Sequence, residues 1–147
     1  MKVVASNRRA RHDYEVLDTF EAGIALEGSE VKSLREGKVV LKDSFAHVRE
    51  GEIWLVGVYI APYEFSRGGG HEPERTRKLL LHRREIDRIA SKLAEKGLTL
   101  IPLRIYLKEG RAKVELGLGR GKRTIDKRET LKERDQQREI ERALRHR

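Results

Sequence analysis

The chain has 147 residues, which fits one domain with an extra arm and lets roughly two thirds of the unfolded surface be buried without help from a metal or disulfide. It carries 33 Lys+Arg against 24 Asp+Glu, and a net charge of +9 points to an anionic partner, either nucleic acid or an acidic membrane. The absence of cysteine excludes disulfides and thiolate chemistry, and the short, charge-broken apolar runs hold no transmembrane segment or signal peptide, so a soluble, cytoplasmic protein is expected.

In chain order, residues 1–11 come first, with Lys2, Arg8, Arg9 and Arg11 and no acid. They read as a basic arm. Phe20, Ala22, Ile24 and Leu26 then alternate with Glu21, Gly23, Ala25 and Glu27, the period of a half-buried strand that starts back near Tyr14. Ser29 is a candidate N-cap for a short helix over 31–35 that stops at Gly37. Val31 and Leu34 face inward in that helix, and Lys32 and Arg35 face out. Residues 44–49 and 53–60 flank Glu50-Gly51 as a hairpin. The second arm is apolar on both faces and is therefore placed centrally.

Residues 64–78, with Gly68-Gly69-Gly70, read as a flexible loop. Ile86, Ile89, Ala90 and Leu93 recur at helical spacing and predict an amphipathic helix closed by Gly97. A last hairpin, 98–107 and 111–118, turns at Glu109-Gly110, with Ala112, Val114, Leu116 and Leu118 facing in. Gly117, Gly119 and Gly121 read as a hinge at the end of the body. Residues 119–147 hold 11 basic and 6 acidic side chains and few apolar ones, too few for a core-facing stripe. They read as a tail that is disordered when free and helical when docked.

These elements predict a mainly β fold, an OB-type antiparallel β-barrel of about six strands with peripheral helices. The domain division is a body over 1–119 and a basic tail over 120–147.

Chemistry is scarce. Gly117–Lys122 lacks the spacing of a Walker A loop or a dinucleotide fingerprint. The five histidines, His12, His47, His71, His82 and His146, show no zinc-ligand spacing. His12-Asp13 and His71-Glu72 are adjacent in sequence, which does not by itself make an acid–base pair, and surface or RNA-contacting histidines are the simpler reading. No cofactor, no metal and no catalytic activity are expected.

The basic clusters have a mechanism, because Arg and Lys pair with phosphate and Arg also lies flat on an unstacked base. One group is Asn7, Arg8, Arg9, Arg11 and His12; a second is Lys32, Arg35 and Lys38; a third is Arg75, Arg77 and Lys78. In an extended chain Arg75 and Arg77 point to the same side. A membrane anchor would need a broad apolar helix face, which the tail lacks, so RNA is the better partner. A generic small RNA-binding or ribosomal protein fits these features, and an RNA-processing enzyme fits them less well.

Longer motifs narrow the choice. The runs from Asn7 to Tyr14, Phe20 to Ile24, Gly28 to Lys38 and Arg75 to His82 closely resemble the SsrA-binding protein family (small protein B, SmpB). So do the run Gly110 to Glu115 and the pieces Gly121-Lys122-Arg123 and Asp126-Lys127-Arg128-Glu129. The resemblance implies a monomeric OB-type barrel that binds the transfer RNA-like domain of transfer-messenger RNA (tmRNA) and fills the volume of its missing anticodon arm. It implies rescue of stalled ribosomes by trans-translation, with elongation factor Tu delivering the RNA. On this resemblance the RNA contacts fall on Asn7, Glu21 and Leu80, near Arg77 and Lys78. His12 meets the small-subunit decoding centre. Gly121, Lys122, Arg123, Asp126, Lys127 and Arg128 belong to a tail that enters the empty messenger channel. Ile125 stands where some relatives carry a polar or aromatic side chain. Glu21, acidic on a cationic face, reads as a specificity contact because a carboxylate accepts from a base amino group or orients an arginine.

Overall fold

The structure, a computed structural model, describes residues 1–63, 71–95 and 97–122. The elements are β1 (Lys2–Ser6), α1 (Arg8–Asp13), β2 (Tyr14–Ile24), α2 (Gly28–Arg35), β3 (Val39–Val40), β4 (Phe45–Arg49), β5 (Glu52–Val56), β6 (Tyr59–Ile60), β7 (Arg77–Leu80), α3 (Arg83–Leu93), β8 (Leu98–Lys108) and β9 (Arg111–Gly121).

Six antiparallel strands form a ring in the order β8-β4-β5-β7-β2-β9, with β9 returning to β8. β1 pairs beside β8 through Lys2↔Leu107, Val3↔Tyr106, Ala5↔Ile105 and Ser6↔Arg104. β3 and β6 make a separate two-stranded sheet. The β2–β9 and β8–β9 ladders are long, whereas β4 meets β8 only at Ala46↔Leu100. The β4–β5 and β8–β9 hairpins each turn on two residues with positive φ, Glu50-Gly51 and Glu109-Gly110, which suits the right-handed twist of the strands they join.

The alternation expected in β2 and β9 is the one that builds the core. Phe20, Ala22 and Ile24 from β2 meet Val114, Leu116 and Leu118 from β9, all buried. Ile86 and Ile89 of α3 and Leu34 of α2 add to the same cluster. Single Leu or Ile to Ala changes in such a core cost about 2–5 kcal/mol.

Five local expectations change. The N-terminal basic stretch is not an arm: residues 2–6 complete the sheet and residues 8–13 form a helix. The strand expected over 53–60 breaks at Gly57, whose φ of +84° strains any other residue and whose Cβ position, 3.1 Å from the Asp43 carbonyl oxygen, is tight against backbone. Only one face of β5 is buried, through Ile53 and Leu55. The loop expected to reach residue 78 ends earlier, because Arg77–Leu80 pair with both β5 and β2. Ser29 lies inside α2 rather than capping it, and the Glu27 N–H instead donates to Glu30 Oε1 at 2.8 Å.

The glycines expected as a hinge lie within β9. A Cβ on Gly117 would sit 2.8 Å from Leu103 Cδ1, and one on Gly119 would sit 3.1 Å from Tyr14 Cβ. Close packing, not flexibility, requires glycine there. The strand continues to Gly121, two residues beyond the expected boundary of the body.

Candidate nucleic-acid interface

Glu21 and Leu80 lie far apart in sequence but line one groove of about 760 Å³. Its floor is apolar, from Ile24, Leu26 and Ala112, and its rim carries Glu85, His82, Arg111 and Lys113. The ladder pair Gly23↔Leu80 brings the two sides together. A Cβ on Gly23 would approach Leu80 Cβ to 3.2 Å, so glycine lets β7 lie close against β2 here. Leu80 is 52% exposed and gives the groove an open apolar side chain.

Glu21 does not float in this groove. The Tyr106 hydroxyl donates to its Oε2, and Lys108 Nζ lies 3.5 Å from its Oε1. The Tyr106 hydrogen bond is the main cause holding the Glu21 carboxyl below the usual carboxylate range, helped by Lys108 and Lys113 and opposed by burial. The Tyr106 phenol is pushed well above its ordinary value by burial first and then by Glu21. Tyr106 is 3% exposed, and the Arg104 guanidinium lies 5.1 Å from its ring centroid. Arg104 in turn holds Glu115 at 3.1 Å, and Arg11 holds the other oxygen of Glu115 at 3.0 Å.

The sequence-derived candidates divide sharply. Arg8, Arg35 and Lys122 are exposed. Arg9 is exposed beside Asp13 at 3.5 Å. Lys32 sits over the Tyr63 ring at 5.4 Å, Lys38 lies 3.2 Å from Glu36, and Lys78 lies 3.9 Å from Glu52. These cations can reach a phosphate. Asn7 and Arg77 face the interior. Asn7 Oδ1 accepts from the Ala10 N–H at 3.1 Å, capping α1, and its Nδ2 donates to the Pro102 carbonyl at 3.0 Å. Arg77 is fully buried, donating through Nε to Glu30 and through its other nitrogens to the Val58 and Pro73 carbonyls at 2.8 and 3.0 Å. Arg75 does point to the same side as Arg77, but that side is Glu30, 2.6 Å away. Both residues hold the fold together in this conformation. An alternating pattern shows that two side chains share a face without saying which face is the outer one.

The histidines also separate. His12 is exposed and lies 3.1 Å from Asp13 Oδ1, so these neighbours do meet. His71, expected at the surface, is buried between Ser29 Oγ at 2.9 Å and the Ile60 carbonyl at 2.8 Å. Among the described residues no cluster of His, Asp or Glu could hold a metal ion, and no helix is long and apolar enough to cross a membrane.

The far end of β2 carries a second group. Tyr14 pairs with Gly121, so α1, with Arg8, Arg9 and His12, stands beside the end of β9 and Lys122. Arg123, Ile125, Asp126, Lys127 and Arg128 lie outside the described residues.

Tyr106, Lys108, Arg111 and Lys113 were missed at the sequence level. For the two on β9 the signal was present: Arg111, Lys113 and Glu115 alternate with the inward Ala112, Val114 and Leu116, so they define the opposite, outward face of the strand.

Comparison with known proteins shows the family and the fold. The profile of the SmpB protein family matches residues 4–146. The SsrA-binding protein of Carboxydothermus hydrogenoformans is 56% identical over 146 residues, covering 99% of this chain and 98% of that protein. That of Geobacillus thermodenitrificans is 55% identical, covering 99% and 94%. A chain solved in work on tmRNA-SmpB and the bacterial ribosome is 58% identical with a TM-score of 0.69, covering 83% of this chain and 85% of that one.

Proposed function

The chain belongs to the SmpB protein family, and from that membership we propose that it binds tmRNA and acts with it on the ribosome in trans-translation. The observation that carries the reading is the groove that joins Glu21 and Leu80. An apolar floor covers the flat face of an unstacked base, a carboxylate accepts from a nucleotide donor, and Arg111 and Lys113 on the rim meet phosphate.

The body stands where the anticodon arm of an ordinary transfer RNA would be. The opposite end of the ring, with His12 and Lys122, faces the decoding centre, and the segment after Lys122 enters the empty messenger channel. Elongation factor Tu joins through the RNA. The protein is a non-catalytic adaptor of the cytoplasm, a role supported by its RNA-binding family.

A gel-shift with tmRNA against excess bulk transfer RNA tests the reading. Retained tmRNA complex supports it. Equal competition by the two RNAs replaces it with a generic RNA-binding role.

A further inference from the structure

We propose that Tyr106 is a positioning residue for RNA selection: its phenol fixes the Glu21 carboxylate as an oriented acceptor at the edge of the groove. The inference rests on the tmRNA reading and adds to it a residue outside the groove wall.

Glu21 is on β2 and Tyr106 is on β8, with β9 between them. Glu21 pairs with Glu115 on β9, and Tyr106 pairs with Lys113 on the same strand. The phenol therefore reaches diagonally over β9, between two side chains two residues apart. Val114, which separates them in sequence, points into the core and leaves that passage open. The ring that makes the reach is 3% exposed and lies under Arg104. A buried ring with few torsions is a rigid support, and Glu21 itself has a side chain 42% exposed that would otherwise sample several rotamers.

The arrangement assigns the atoms. Oε2 of Glu21 is taken by the phenol, and among the described residues Oε1 makes a long contact to Lys108 at 3.5 Å, so the carboxylate of this 42% exposed side chain keeps acceptor capacity for a ligand. An acceptor-only group repels phosphate and accepts N–H or O–H. The matching ligand chemistry is a nucleotide donor, either a base amino or imino group or a ribose 2′-hydroxyl.

The test is a double-mutant cycle read by tmRNA affinity in the presence of bulk transfer RNA, using the full chain. Tyr106→Phe keeps the ring and its contact with Arg104 and removes only the donor. It is expected to weaken tmRNA binding about 3- to 10-fold in the wild-type background and less than about twofold when Glu21 is already alanine. A loss of equal size in both backgrounds makes Tyr106 merely structural and overturns the proposal. A wild-type protein that does not prefer tmRNA instead overturns the functional reading beneath it. A 13C carboxyl titration of Glu21 in the wild-type protein gives a reading that does not depend on how Tyr106→Phe folds. Among the described residues, the groups around Glu21 are Tyr106 and Lys108 from β8, Lys113 and Glu115 from β9, and His82, Glu85 and Arg111 across the groove. Titration below the ordinary glutamate range supports the tie, and an ordinary value overturns it.

Discussion

Arg77 and Glu30 are both fully buried, and each is the other's charge partner. Taking two charges out of water costs several kcal/mol apiece, which only close geometry and further hydrogen bonds offset. Both are present. Arg75 and the Glu27 N–H complete the carboxylate, and two carbonyls complete the guanidinium. The pair ties α2 to β7, and so ties Val31 to Leu80 on opposite sides of the groove.

Removing one partner leaves the other charge buried and alone. Glu30→Ala or Arg77→Ala is expected to destabilise the fold by about 3–5 kcal/mol in urea unfolding. Replacing both together with leucine and methionine is expected to cost much less than the sum of the singles. Additive losses would mean that the two side chains do not act as a pair.

The same pair sets an acid limit. Burial alone would raise the Glu30 carboxyl, but hydrogen bonds from Arg75, the Glu27 N–H and Arg77 outweigh it and hold the group below its ordinary 4.5. Burial lowers Arg77, which stays cationic throughout the acid range. Below about 4.5 the unfolded chain binds a proton at this position that the folded chain still resists, so stability falls as pH drops through the folded value and is flat above 4.5. Urea midpoints of the wild type are expected to fall across that window. Those of Glu30→Gln, lower throughout, are expected to fall less steeply.

Gly117 distinguishes a hinge from a packed strand. A methyl group there meets Leu103, which is fully buried and has no open side to turn toward. Gly117→Ala is expected to cost about 1–3 kcal/mol of stability, the usual range for overpacking. A hinge would tolerate the change, so an unaltered melting temperature would remove this account of β9.

The outward face of β9 is expected to contribute salt-dependent binding. Neutralising Arg111 or Lys113 by glutamine should flatten the log–log dependence of tmRNA affinity on salt by about one unit for each phosphate that is no longer paired. Ending the chain after Lys122 should leave that affinity nearly intact while abolishing tagging on stalled ribosomes. Loss of RNA affinity on truncation would place part of the grip in the last 25 residues.

Much of this fold was legible because period-two alternation and two-residue turns are local properties. Phe20, Ala22 and Ile24, and Val114, Leu116 and Leu118, point inward as their spacing requires. What escaped was long-range. No window around Arg77 shows that Glu30 waits 47 residues away, and no window around Tyr106 shows Glu21. β7 is only four residues long and follows a Gly-rich run, so its pairing with β5 and β2 decides its state rather than its own pattern. Gly117 and Gly119 signal flexibility in sequence and crowding in space, because the atoms that crowd them belong to other strands. Of the site, Glu21 and Leu80 rested on family resemblance, and only the folded ring shows that they share a groove.

The strand β2 begins at Tyr14, against the last residue of β9, and ends at Ile24, in the floor of the groove that Glu21 and Leu80 line. Eleven extended residues cover about 35 Å. β2 therefore acts as a ruler between that groove and the root of the chain's final segment. Neither end can be shifted without re-registering a ladder that the whole ring shares, so any two partners held at these sites are kept at a fixed spacing by the backbone itself.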